Sequence, residues 1–444
     1  MYSSDPHFHP DRVVFSFGVL SDWHIKADPE PERDNRDKLV SAISQLRETA
    51  ARDDPRGLVL LIAAGDMTQD GQPAEIAMVR QTMERAMDWD KTAFLYVAGN
   101  HDKHAPDCNA VYREIFGETV DRLYDAQDAA PDGILSGNRH YVMGGHHFIT
   151  MDLIKYHKQE PNTFTQSAKD WLDDTLRCIT EREPNAYVFV ITHLLMQDTC
   201  YGSSRGFFYA TDDLLPILRK YPQVVTFGGH LHYPLNDERA IMQTEFTAME
   251  TATLSDMLVD GFDCANVRKG TKTEGNREFA QGLLVQIDDG GNLRVRRMDF
   301  WHRAEIGEPW MLDSPSADGA HLLRYTADRR LAAAKEPPAL SGGMTVTCRE
   351  EGDSRTVTLC FASARPLGSA RSYAILLTDA ESGAEVRRME YLTDFYHYSS
   401  RDQTPAETEI PLPDMVAGRY GVSVAALDFW GNAGEPLCGE IEIP

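Results

Sequence analysis

Seven side chains able to ligate a metal stand at five places in this chain, each place directly following an apolar run. Asp22 and His24 lie in Ser21-Asp22-Trp23-His24, Asp66 in Gly65-Asp66, and Asn100 in Gly99-Asn100-His101-Asp102. His193 follows Thr192, and His230 and His232 close Gly228-Gly229-His230-Leu231-His232. One such residue alone reads as a helix cap or a surface histidine; five groups in series, each at the end of an apolar run, point to side chains converging on one site. The donors are carboxylate, imidazole and carboxamide, with no thiolate. Such a set suits manganese, iron, zinc or cobalt without choosing among them, and its size implies two ions. His101 adds an imidazole whose ordinary pKa of about 6.5 suits it to proton transfer near neutral pH.

The apolar runs explain how these groups could be positioned. Residues 13–20, 58–64, 93–98, 187–191 and 224–227 read as buried strands of an α/β fold, and such sheets carry their ligands at the carboxyl ends of the strands. The i, i+2 spacing of Asp22 and His24 lets both point to one side of an extended segment. Between strands, Leu39, Ala42, Ile43, Leu46 and Ala50 mark one amphipathic helix, Ile76, Val79, Met83 and Met87 a second, and Leu172, Leu176 and Ile179 a third. Residues 103–137 form a long insertion with a short helix near Val111 and Ile115, and suit a pocket wall. A Gly144-Gly145 turn predicts a hairpin over residues 140–151. Its His140, His146 and His147 are gathered by no strand end and are left outside the metal set. The glycine- and serine-rich stretch 197–209, with Tyr201, Arg205, Phe207 and Phe208, reads as a substrate wall.

The five blocks together resemble the calcineurin-like metallophosphoesterases over roughly residues 13–300. That resemblance implies a β-sandwich core flanked by helices and two divalent or trivalent transition-metal ions. It assigns Asp22, His24 and His232 to one ion, Asn100, His193 and His230 to the other, and Asp66 as the bridge. Two such ions, ~3.5–4 Å apart, would hold a hydroxide between them and clamp the phosphoryl group, with His101 as the general acid.

Departures from particular relatives narrow the expectation. In Gly65-Asp66-Met67-Thr68-Gln69-Asp70-Gly71 the arginine of protein Ser/Thr phosphatases is missing, and the carboxylate that would orient His101 is displaced to Asp70. Gln69 stands where purple acid phosphatases carry tyrosine. The likeness is nearest to cyclic-nucleotide phosphodiesterase-type members, although His193 is followed by Leu194-Leu195-Met196 rather than by histidine and prolines. The site offers few cations, namely Arg205, Lys103 and His104, while Trp23, Leu194, Tyr201, Phe207 and Tyr233 could line a pocket. The expectation is a phosphodiesterase acting on a small nucleotide or related phosphodiester, with Arg205, Tyr201 and His104 touching substrate. The alternatives are a phosphomonoesterase, or a binding or scaffold protein that retains the metals.

Asp and Glu exceed Lys and Arg by enough to give a formal net charge of −25, a field that disfavours nucleic acid and anionic membrane surfaces as partners and so disfavours a nuclease. Arg294, Arg296 and Arg297 alternate along a strand and read as a solvated face. Seven scattered cysteines suggest neither a disulfide framework nor a thiolate zinc site. A polar amino terminus and the lack of any run near ~18 apolar residues predict a cytoplasmic protein. With 444 residues, two domains are expected. These are a metallophosphoesterase domain over 1–307, a proline-bearing linker over 308–340 containing a short helix near 327–335, and an all-β immunoglobulin-like sandwich over 341–444. Seven alternating strands in the last resemble a fibronectin type III-like module. Oligomeric state is left open by the sequence.

Overall fold

The computed structural model describes residues 7–28, 35–121, 124–131, 137–153, 164–205, 210–351 and 354–444, which divide into two units: residues 1–258 with 275–327, and residues 259–274 with 328–444.

In the first unit, Val13–Leu20 is apolar on both faces and sits mid-sheet. It pairs parallel with Leu60–Ala64, which pairs parallel with Ala93–Val97. On its other side it runs antiparallel to Gln281–Asp288, which pairs with Leu293–Asp299. A second sheet is built around parallel pairing of His146–Thr150, Val188–Ile191, Val224–Gly228 and Thr247–Glu250, with the hairpin Arg139–Met143 and His146–Thr150 at one side. Gly144 and Gly145 form the expected turn; both have positive φ (56° and 78°), which glycine adopts without a Cβ clash. Phe17 of the first sheet meets Phe148, Phe189 and Phe227 of the second with ring centroids 5.0–6.1 Å apart, so the core between the sheets is an aromatic cluster.

Helix Asn35–Asp53 buries Leu39, Ala42, Ile43, Leu46 and Ala50, the face expected from the spacing. Gly18 makes that contact possible, because a Cβ there would stand 2.7 Å from Leu46 Cδ1. The insertion carries more regular structure than expected: helix Cys108–Asp121 and strand Ala126–Ala129. Cys108, Tyr112 and Phe116 hold that helix in the core, where Phe94 and Tyr96 lie against Phe116 and Tyr112. Phe207 and Phe208 lie outside the described residues.

The arginines of Leu293–Asp299 are not a solvated face. Arg294 and Arg296 both donate to Asp53 Oδ2, at 2.6 and 2.8 Å, and Arg297 reaches the carbonyls of Leu235 and Glu308. A long aliphatic stem lets each guanidinium leave a buried strand position and find an acceptor at its edge.

Trp310–Leu312 pairs with Leu293–Asp299, and residues up to 327 belong to the first unit, whereas helix Asp328–Ala333 belongs to the second. Among the described residues, the second unit contains a three-stranded sheet of Met344–Glu351, Ser354–Ala362 and Glu407–Leu412. A four-stranded sheet of Glu385–Leu392, Ser372–Asp379, Gly418–Leu427 and Leu437–Ile443 accompanies it, and all pairings are antiparallel. Gly418–Leu427 alternates buried and half-buried positions as a sandwich strand must, and Leu359, Phe361, Ile375, Leu377, Val422 and Val424 form the core.

Candidate metal centre

Sheet termini bring the seven predicted ligands together. The first sheet delivers Asp22, His24, Asp66 and Asn100, and the second delivers His193, His230 and His232. The loops that carry them are bonded to one another. The amides of Asp22, Trp23, His24 and Ile25 donate in turn to the carbonyls of Gly65, Asp66, Asp66 and Met67, at 2.8–3.0 Å, and Gly229 N–H donates to His193 O at 2.9 Å.

The backbone is bent sharply to aim these side chains. Asp22, His24, Asp66, His230 and His232 have φ between 48° and 72°, the left-handed region that costs a non-glycine residue roughly 1–2 kcal/mol. Neighbouring glycines supply the space. A Cβ on Gly65 would lie 2.3 Å from His193 Nδ1, one on Gly99 2.1 Å from Asp66 Oδ1, and one on Gly229 2.3 Å from Asp22 Oδ2. Each of these three glycines is therefore a contact surface for a ligand of another motif.

Three groups of side chains come close enough to share a cation: Asp22 with His24 and His232, Asp66 with His193 and His230, and Asp66 with His24 and His101. In the first, His232 Nε2 is 3.1 Å from Asp22 Oδ1 and 3.2 Å from His24 Nε2. His232 Nδ1 donates to the Asp256 carbonyl at 2.7 Å, so its Nε2 presents a lone pair to those neighbours unless a proton or a cation intervenes. In the second, His193 Nδ1 donates to Ala64 O at 2.9 Å, and its Nε2 faces Asn100 Oδ1 at 2.9 Å and Asp66 Oδ2 at 3.3 Å. Asp22 Oδ1 is buried without a hydrogen-bond donor. Acceptors facing acceptors in a buried site, with the far nitrogens of His193 and His232 tied to backbone carbonyls, are what divalent cations require of their ligands, and the residues fit such ions.

Electrostatics point the same way. Burial opposes charge on His193, but the Asp66 carboxylate outweighs it and holds the ring's pKa at about 10. For His232 burial is likewise outweighed, by Asp22, giving about 9. Burial raises Asp22, yet His232 beside it brings its carboxyl down to about 2, and Asp66 is lowered further still by His193. His24 is lowered to about 4, chiefly by burial. Without metal, the cluster recruits positive charge in the form of protons.

His101 stands beside the ligands. Its amide donates to Asp66 Oδ1 at 2.7 Å, and its ring packs edge-on against His24 with centroids 4.5 Å apart. The residue that orients it is not Asp70: Asp70 Oδ1 lies 3.3 Å from His104 Nδ1, whereas His101 Nδ1 lies 2.8 Å from the Gln69 carbonyl. Donation to that carbonyl leaves Nε2 as the exchangeable position. A backbone carbonyl, and not the Asp70 carboxylate, thus takes the orienting role.

Asp102, the fourth residue of its motif, is the structural anchor that motif reading passed over. Fully buried, it accepts from the amides of Met67, Thr68 and Gly99 and from the hydroxyls of Thr68 and Tyr112, tying the Asp66 loop to the His101 loop. Its signal in the sequence was a carboxylate placed directly after a glycine-led loop.

The expected substrate-contacting residues are distributed differently. His104 packs against His101 with centroids 5.0 Å apart and the rings tilted by 51°, and remains about one-third exposed. Tyr201 is half-buried beneath the Arg239 guanidinium and beside Tyr233, whereas Trp23 and Leu194 are fully buried and pack the core. Arg205 ends the short turn Ser203–Arg205, and its side chain lies outside the description. Lys103 is consumed by Asp152 at 3.0 Å. Among the described residues, His140 and His147 bond each other at 2.9 Å and join no metal-type group. No helix among the described residues is long and apolar enough to cross a membrane.

Comparison with known proteins agrees with the motifs. The calcineurin-like phosphoesterase family matches residues 15–234. No curated protein matches the chain. Among solved structures, the sulfate thiohydrolase SoxB of Thermus thermophilus, in complex with glycerol, is similar at 12% identity and a TM-score of 0.38, covering 77% of this chain and 64% of SoxB. The chain thus spans less than two thirds of that relative. The MHC-like protein MILL2 is similar at 13% identity and a TM-score of 0.16, over 39% of this chain and 67% of MILL2. At scores this low neither bears on function. Residues 15–234, with the five motifs they contain, thus form a calcineurin-like phosphoesterase domain and carry the side chains of a metal-dependent phosphoesterase.

Proposed function

We propose that this chain is a binuclear metal-dependent phosphohydrolase that favours small phosphodiesters. The observation that carries the reading is the pair of largely buried acceptor clusters, Asp22 with His24 and His232 and Asp66 with His193 and His230, which a third group of His24, Asp66 and His101 links. In this reading Asp22, His24 and His232 hold one ion, Asn100, His193 and His230 hold the other, and Asp66 lies between them. Two bound cations would supply Lewis-acid polarisation of a phosphoryl oxygen and a lowered pKa for bound water.

The chain's own residues do the rest. Asp66 positions His101 through the amide it accepts, and the Gln69 carbonyl fixes the imidazole tautomer, so that Nε2 can give a proton to the departing oxygen. Preference for a diester is supported by the engagement of nearby groups: Lys103 is neutralised by Asp152 and His104 faces Asp70, which leaves little to balance the second charge of a monoester. The test is kcat/KM for bis-p-nitrophenyl phosphate against p-nitrophenyl phosphate with the same metal and pH. The diester is expected to be the better substrate; a clear monoester preference would make the protein a phosphatase.

A further inference from the structure

The second unit carries a cavity of about 370 Å³, lined only by its own residues. Strand Glu407–Leu412 ends the three-stranded sheet and Glu385–Leu392 ends the four-stranded one, and the cavity is bounded by these two end strands and by residues 363–370 and 393–405. Tyr373 and Tyr391 stand opposite each other on adjacent antiparallel strands, so both rings share the inner face of their sheet. Phe395 is held edge-on against Tyr396 and Phe429, with centroids 5.4 and 5.0 Å apart, and Tyr398 follows it, half-buried, along the same wall. Four aromatic side chains thus line one cavity, two of them, Tyr373 and Phe395, almost fully buried.

The hydroxyls on its wall are engaged. Ser363 and Thr408 bond each other at 2.8 Å, Thr408 reaches the Tyr373 hydroxyl at 3.3 Å, and that hydroxyl accepts from the Ala364 amide at 3.1 Å. Thr393 donates to the carbonyls of Ala370 and Arg371, at 3.0 and 2.9 Å. The charged groups are all acidic: Asp394, Glu407 and Glu409 line the cavity, and no lysine or arginine does so among the described residues. Glu407 and Glu409 are exposed on their edge strand and form no ion pair among the described residues. The two basic residues of 393–405, His397 and Arg401, stand outside the lining, with the Arg401 stem behind Gly368, where a Cβ would meet it at 2.9 Å. Ring faces carry negative potential, as carboxylates do, so a cavity that offers both is complementary to a cation with an apolar surface. Its volume lies at the small end of the roughly 300–1,000 Å³ of ligand pockets, which suits a small molecule.

We infer that this cavity is a binding site for a small organic cation, a quaternary ammonium group held against the rings of Tyr373, Tyr391, Phe395 and Tyr398 with the carboxylates of Asp394, Glu407 and Glu409 around it. A quaternary ammonium has no N–H bonds to water to surrender, so it enters an aromatic site at lower cost than a primary amine. The site shares no residue with the metal centre, and the inference stands apart from the phosphoesterase reading.

The experiment titrates the metal-loaded full-length protein with choline and with 3,3-dimethyl-1-butanol, its neutral carbon isostere, following the ligand methyl signals by NMR. Neither compound is a phosphoester, so binding is read without turnover. Choline should bind saturably and roughly ten-fold more tightly than the isostere, the size expected of cation–π contacts in a partly desolvated site. Tyr391→Leu, which removes a half-buried ring, should weaken choline by roughly five-fold or more. Glu407→Gln/Glu409→Gln changes two exposed side chains with no burden on the core, and should weaken choline by roughly three-fold while leaving the isostere unchanged. Absence of saturable choline binding overturns the inference. Equal affinity for the isostere would make the cavity an apolar pocket and overturn it as well. So would a choline affinity that is unchanged in the Glu407→Gln/Glu409→Gln protein, which keeps the test decisive should Tyr391→Leu disturb folding.

Discussion

The amide of His101 donates to Asp66 Oδ1 at 2.7 Å, so the carboxylate proposed to lie between two ions also fixes the backbone of the proposed general acid. The link separates two roles that lie within a few ångströms of each other. Replacing the His101 ring leaves that backbone bond intact. His101→Ala should therefore keep metal content near that of the wild type while lowering turnover by roughly 10²–10⁴. His230→Ala should lose metal. Elemental analysis alongside kinetics checks both; equal metal loss in the two variants would make His101 a ligand.

Gly99 is a steric requirement of the centre. A methyl group there would meet Asp66 Oδ1 at 2.1 Å and its amide nitrogen at 2.4 Å, both in backbone-anchored positions that have no room to retreat. Gly99→Ala should displace Asp66 and lower metal content and activity together, although Gly99 has no side chain to act as a ligand. Gly343→Ala, with open space around it and no positive φ, serves as the control and should leave metal content unchanged.

Protons and metal compete for His193 and His232. Their folded pKa values, about 10 and about 9, lie above the ordinary 6.5, so in metal-free protein the stability they contribute is fully present below pH 6.5 and is lost as pH rises through 9–10. His24, lowered to about 4, acts in the opposite sense and weakens the fold as pH falls from 6.5 towards 4. The Tm of metal-free protein should therefore fall between pH 7 and 10, and the stabilisation gained on adding metal should grow over the same interval. A metal-free Tm that is flat from pH 7 to 10 would contradict the buried charge pairs.

Much of the centre was legible because each ligand follows a strand, and strand ends are marked by apolar runs closing on glycine. Gly65, Gly99 and Gly229 could be read as turn formers; their second role, as surfaces for Asp22, Asp66 and His193, depends on contacts between residues 33 to 207 positions apart, which no local pattern encodes. The orienting role of the Gln69 carbonyl was invisible for a related reason, since backbone atoms carry no residue-type signal. Arg294 and Arg296 misled because alternation specifies which face a Cα presents and says nothing about where a long side chain ends. Trp23 and Tyr201 read as pocket walls from composition, yet Trp23 faces Phe94 and Tyr201 faces Arg239, partners distant in sequence.

The central claim, that two ions share one site through Asp66, is tested most directly by titrating metal into metal-free protein while following both binding and hydrolysis of bis-p-nitrophenyl phosphate. Activity should rise until two equivalents per chain are bound, and Asp66→Asn should weaken both binding events. Full activity at one stoichiometrically bound ion, with no second binding event, would contradict the account.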